Sequence, residues 1–290
     1  MTLTATRPAA RAGRAAAPRR PARGRARTWA LYALLSVMSL LTLGPFIAMI
    51  IVALSPRGAP TVPVQWPDAL TFDNITQILG ASGFTAWTLN SLIYSVVSVV
   101  IILLTASMAG YAFAKKRFPG RDAMLWTFIA TMMVPFQATL IPLYVLVSDL
   151  GGADTFWGLI VPTLANSQAV FLMRQFIMGL PDELFDAAKV DGASELRVYW
   201  TIVVPLTKPI LATLGVFVFL WHWNDFLWPL VISQSDATRT LTVGLTVLKT
   251  EELQWATLMS SAAVSAVPCL VVFFLLQRYL VNSIAMTGLK

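Results

Sequence analysis

Charge is scarce in this chain. Only 12% of its 290 residues are Asp, Glu, Lys or Arg, about half the share usual in a soluble domain. There is one cysteine, Cys269, and one histidine, His222. A single cysteine inside an apolar run excludes a disulfide framework and reads as a small buried hydrophobe. A single histidine with no Cys or His cluster leaves no metal site and no Ser-His-Asp arrangement to build. Neither the GxGxxG pattern nor a phosphate-binding P-loop occurs, so the chain is expected to bind no cofactor and to hydrolyse no nucleotide itself.

What the chain has is apolar length. Hydrophobic residues make up 57% of it, in six long stretches: Trp29–Leu54, Trp87–Ala114, Ala123–Ser148, Phe156–Met173, Ile210–Ile232 and Trp255–Gln277. A bilayer crossing needs roughly 20 apolar residues as helix, so the pattern predicts an all-α membrane protein with six transmembrane helices over 29–280. The fourth stretch is short and interrupted by Pro162 and Asn166. Residues 1–28 hold eight Arg and no acid, which predicts a disordered tail. Such a tail fits contact with anionic membrane lipid better than nucleic-acid binding.

Lys and Arg set the orientation. With the N-terminus inside, 18 of the 21 fall on the cytoplasmic side, and only Arg57, Arg239 and Lys249 fall outside. Both ends are therefore expected in the cytoplasm. Lys115–Arg121, KKRFPGR, reads as a positive-inside anchor turned by Pro119-Gly120. In the first outer loop Asn74-Ile75-Thr76 matches a glycosylation pattern, a three-residue coincidence of little weight.

One cytoplasmic segment, 180–209, is charged and amphipathic. Pro181 suits a first helical turn, and Asp182 and Glu183 favour the positive end of the helix dipole. Leu184, Ala187, Ala188 and Val190 give it an apolar side. Asp191-Gly192 ends the helix, because Gly accepts the left-handed conformation. Ser194 can cap a second short helix, which Pro205 and Pro209 are expected to stop.

The spacing Asp186-Ala187-Ala188, then Gly192, Ile202, Pro205-Leu206 and Lys208-Pro209 resembles the EAA loop of ABC importer permeases, with Asp186 where the family usually has Glu. Asn90-Ser91, Phe118-Pro119-Gly120, Val134-Pro135, the run Trp223–Pro229 and Gln277-Arg278-Tyr279 are similar to the carbohydrate branch, maltose-type importers. The resemblance covers nearly all of the chain from Trp29 onward. It implies a type I ABC importer permease fold and a bacterial plasma-membrane location. It also implies four kinds of partner: a second homologous permease, two ATP-binding subunits that hold ATP and Mg, an extracytoplasmic sugar-binding protein, and lipid. Glu183, Asp186, Ala187, Ala188, Asp191, Gly192 and Pro205 would then couple to the ATPase. The tail at 281–290 either contacts that subunit or frays.

Polar groups inside a membrane are costly and mark a cavity or a partner. Asp225 stands out, beside Asn224 and the indoles of Trp221, Trp223 and Trp228. Amide and carboxylate groups for hydroxyls, with aromatic faces for a ring, suit a sugar. The same residues could cap a helix break or bond a partner helix. Asn90, Gln137, Trp223, Asn224 and Asp225 are the candidate substrate-pathway residues. A permease for a peptide, amino acid or phosphate compound is the alternative cargo. A membrane enzyme would need clustered acids, His or Cys in the spans, and a passive channel would leave the long cytoplasmic loop unexplained.

Overall fold

The computed structural model describes residues 22–56, 66–247 and 255–287, which form helices and turns with no strand among them. Residues 1–21, Arg57, Lys249 and Gly288–Lys290, to which orientation or partner contacts were assigned above, lie outside the described residues. The chain separates into two units, Met1–Ala48 and Met49–Lys290. Helix α1 (Ala22–Ala53) starts in the first and ends in the second, and its Leu34, Leu41 and Phe46 are exposed. It begins inside the stretch expected to be disordered. Arg and Ala are good helix formers, so Ala22–Thr28 joins the helix.

The second unit runs α2 (Asp73–Leu79), α3 (Phe84–Lys115), α4 (Arg121–Thr131), α5 (Phe136–Asp149), α6 (Phe156–Ile160), α7 (Ser167–Met178), α8 (Asp182–Val190), α9 (Glu195–Val198), α10 (Val204–Trp223), α11 (Leu227–Ile232), α12 (Leu241–Val247) and α13 (Trp255–Thr287). Among the described residues four unbroken helices are long and apolar enough to cross a membrane, and two bent pairs bring the number to six.

Helix α3 is the centre, packed on α7 and α10. Its buried face carries Ser91, Ser95, Ser98, Ile102, Ala106 and Gly110, spaced three or four apart so that they share a side. Apolar burial drives nothing when the surroundings are lipid, so close approach of small residues supplies the packing. Gly110 is the tightest point. A Cβ there would stand 2.7 Å from Met173 Cβ and 2.9 Å from the Arg174 amide nitrogen. Gly215 is not tight, its nearest neighbour being Leu103 Cδ1 at 3.4 Å.

Four expected spans differ in detail. The third is not one rod: α4 and α5 meet at 102°, where Pro135 is extended, with ψ 132, and donates no hydrogen bond. The fourth bends by 44° between Thr163 and Ser167, and Asn166 Oδ1 restarts it by accepting from the Ala169 amide at 2.9 Å. The fifth starts well before Ile210. Helix runs from Glu195 to Trp223, because a π-turn at Tyr199–Val203 leaves Pro205 in the first turn of α10, where its missing N–H costs little. Pro205 and Pro209 therefore do not stop this helix. It breaks instead at Asn224–Phe226, before α11. The sixth runs on as α13 to Thr287, into the segment expected to be a tail.

Asn74 is fully buried, and its amide donates to the carbonyls of Ala53 (3.3 Å) and Ser55 (2.8 Å). It is a staple, closed to glycosylation.

Candidate functional site

The charged segment folds as two short helices at a sharp corner. Asp191 ends α8 and Gly192 takes φ +69. The Ala193 amide then reaches back to the Ala188 carbonyl (2.9 Å) and the Gly192 amide to that of Lys189 (3.0 Å). This paired return satisfies the last carbonyls of α8. Ser194 Oγ accepts from the Arg197 amide at 3.4 Å to start α9.

The apolar side of α8 is divided. Phe185 and Ala188 are buried against α3, α7 and the π-turn. Leu184, Ala187 and Val190 are exposed, three residues apart on the other side. Glu183, Asp186, Asp191, Gly192 and Pro205 are exposed as well. Ala188 is therefore the one predicted coupling residue turned inward, where its small side chain lets α8 lie close to the membrane helices. Phe185, which sequence reasoning passed over, is the anchor. Its signal was available: with Ala188 it makes an i, i+3 pair.

That anchor sits on the inner end of α3. Tyr111 stacks on Phe185 at 5.9 Å between ring centres, and its hydroxyl donates to Glu195 Oε2 at 3.0 Å. Lys115 Nζ donates to the Leu180 carbonyl at 2.7 Å and to Asp182 Oδ1 at 2.5 Å. Lys116 pairs with Glu195. Partial burial alone would lower the Lys116 ammonium, but the bonds to Glu195 and Tyr111 outweigh it and hold its pKa above the ordinary lysine value. The bond from Lys115, and then its charge, pull Asp182 below the usual carboxylate range. The basic loop is thus more than an orientation signal.

At the α10–α11 break lies a cavity of about 130 Å³ lined by Tyr94, Phe136, Thr163, Trp221, His222 and Asp225 among others. Tyr94 OH donates to Asp225 Oδ2 at 2.9 Å. His222 Nε2 lies 3.2 Å from Thr163 Oγ1, and Nδ1 lies 2.8 Å from the Val218 carbonyl. Trp221 is 56% exposed and also lines a neighbouring groove with Asn166, Gln168 and Phe217. Ligand pockets usually measure about 300–1,000 Å³, so this cavity encloses no sugar alone.

The five candidate pathway residues divide here. Asp225 lines the cavity. Gln137 is exposed at the first turn of α5, next to Phe136. Asn224 is exposed and bonds the Leu220 carbonyl at 2.7 Å. The other two hold the fold. Asn90 donates to the carbonyls of Asp236 (3.2 Å) and Arg239 (3.0 Å). Trp223 is buried, donating to the Ser265 carbonyl at 3.0 Å. Tyr94 and Thr163 went unread, because nothing near them in sequence points to the α10 break.

The 233–239 turn is also tied to the α5–α6 connection. Asp154 accepts from the amides of Gln234 and Ser235, each at 3.1 Å, and from Thr238 Oγ1 at 2.5 Å. Slight burial pushes its pKa up, but these bonds dominate and bring it to about 2.

No group of three or more His, Cys, Asp or Glu that could hold a metal exists among the described residues.

Residues 101–286 match the family of binding-protein-dependent transport system inner membrane components. Over 226 residues the chain is 36% identical to the arabinooligosaccharides transport system permease protein of Halalkalibacterium halodurans, covering 77% of this chain and 81% of that one. It is 35% identical over 199 residues to the sn-glycerol-3-phosphate transport system permease protein of Yersinia pestis, covering 68% and 71%. Among solved structures it matches a bacterial ABC transporter involved in the import of the acidic polysaccharide alginate, with a TM-score of 0.77, 25% identity and coverage of 91% and 99%.

Proposed function

The chain belongs to the inner membrane components of binding-protein-dependent transport systems, and from that premise we propose that it is one permease half of an ATP-driven importer of neutral sugars or short oligosaccharides in a bacterial plasma membrane. Membership makes it a multi-pass transport subunit and not an enzyme. The N-terminus and C-terminus lie inside, a second permease completes the pathway, and two ATP-binding subunits hold ATP and Mg. An extracytoplasmic binding protein delivers the cargo.

Work enters through α8. Its exposed side, Leu184, Ala187 and Val190 flanked by Glu183, Asp186 and Asp191, docks on the ATPase. Closure of the two ATPases on ATP draws the loops of both permeases together. The bundle then switches from inward-open to outward-open, a rigid-body change of the kind that packed helices allow. Sugar leaves the binding protein for the cavity, and hydrolysis resets the cycle.

The observation that carries the choice of cargo is the Tyr94–Asp225 pair beside exposed Trp221. An indole face suits the apolar side of a sugar ring, and Asp225, Thr163 and His222 suit hydroxyls. The charged group lining the cavity is a carboxylate, which repels an anion at short range in a poorly screened site. That favours a neutral sugar over a phosphate ester or an acidic polysaccharide.

Reconstitution with the partner subunits and binding protein tests this. Labelled arabino-oligosaccharide and sn-glycerol 3-phosphate are offered in parallel. ATP-dependent uptake of the first alone supports the reading, and uptake of the second alone overturns it.

A further inference from the structure

We propose that Lys115, supported by Tyr111 and Ser107, is a positioning residue that carries the movement of α8 directly into α3. The inference rests on the reading of α8 as the ATPase contact and adds the route by which force leaves it.

The chain itself offers one route, from α8 through the Gly192 corner, α9 and the π-turn into α10. It contains two irregular joints. A second route crosses space. Ser107, Tyr111 and Lys115 are four residues apart, so they form one stripe down the inner half of α3. Each meets the cytoplasmic segment. Ser107 Oγ and Tyr199 OH are 2.6 Å apart and buried. Tyr111 holds Glu195 and Phe185. Lys115 holds Asp182 and the Leu180 carbonyl, with its ammonium 5.0 Å from the centre of the Phe185 ring.

The third contact is asymmetric. The Asp182 side chain is 80% exposed, but that of Lys115 is only 8% exposed. An exposed ion pair exchanges readily for water and contributes little. A buried ammonium that loses its partner is left as an uncompensated charge. Lys115 therefore keeps hold of α8 as α8 moves, and α3 follows. Because α3 passes Gly110 against α7 and reaches Tyr94 at the cavity, movement of α8 arrives at the Asp225 wall through a single continuous helix.

The test uses the complete complex in proteoliposomes. Three quantities are read: ATPase retained on purification, basal ATP hydrolysis, and stimulation of hydrolysis by sugar-loaded binding protein together with uptake. Lys115→Glu is expected to keep the ATPase and its basal rate while stimulation and uptake fall by roughly tenfold or more, as expected when a paired charge is reversed. Asp182→Lys in the same chain then restores them. Full stimulation in Lys115→Glu overturns the inference, and so does failure of the double variant to recover. Loss of the ATPase from Lys115→Glu also overturns it, since Lys115 would then serve docking alone. Failure of the unmodified chain to retain an ATPase would instead defeat the docking role of α8.

Discussion

Ala188 and Val190 stand two residues apart on α8 and face opposite ways, one 8% exposed and the other 88%. The helix thus has an inner side that fixes it to the membrane helices and an outer side that is exposed. Substitutions on the two sides should fail differently. Ala188→Leu overfills a packed site and costs about 1–3 kcal/mol, lowering the melting temperature of the purified chain. Val190→Asp should shift stability by no more than about 0.5 kcal/mol and yet lose the ATPase on co-purification. Equal melting shifts in both would contradict this division.

Gly192 has open space around its Cα but a backbone at φ +69. The obstacle to a side chain is conformation, worth roughly 1–2 kcal/mol for an ordinary L-residue. Gly192→Asn should keep most transport, Gly192→Val should lose most of it, and Gly192→Trp should abolish it with the membrane helices intact by circular dichroism. Normal uptake in the Trp variant would remove the corner from the coupling route.

At Gly110 the obstacle is steric. Gly110→Ala pushes a methyl group into Met173 and the Arg174 backbone, which overpacking values place at about 1–3 kcal/mol. Thermal unfolding in detergent should show the loss, and Gly215→Ala should show much less.

The two indoles at 221 and 223 should separate function from fold. Trp223→Ala empties a buried site and costs about 3–5 kcal/mol. Trp221→Ala removes an exposed ring and should weaken sugar uptake with a nearly unchanged melting temperature. Uptake unaffected by loss of Trp221 would take the cavity out of the pathway.

Asp154 gives the outer turn an acid limit. Its folded pKa of about 2 lies below the ordinary aspartate value of 3.8, so its contribution is complete above the unfolded value and is lost as pH falls from there through about 2. The protection of the Gln234 and Ser235 amides, taken relative to their intrinsic exchange rates, should be high and flat at neutral pH and fall below pH ~4. Asp154→Asn should lower that protection throughout. A strong pH dependence of the protection near neutrality would point to another group.

Much of this was legible from residue order alone. Apolar runs located the membrane helices, and the Asp186–Pro209 spacing located the exposed loop. Two kinds of feature were not. Local backbone irregularity escaped: a π-turn lets Pro205 sit inside a continuous span, where Pro normally signals an end. Long-range side-chain pairing escaped too. Asn90 and Trp223 look like membrane-buried ligands in sequence, yet their polar atoms are taken by carbonyls about 146 and 42 residues away. Lys115 looks like an orientation signal until Asp182 folds back onto it.

The docking role of α8 is tested most directly by a cysteine at Val190, with Cys269 replaced by Ser, in a complex containing the ATPase. Crosslinking with a short bifunctional reagent should capture the ATPase, with a yield that changes when ATP is added. A full complex that gives no crosslink from this position, with or without ATP, would contradict it.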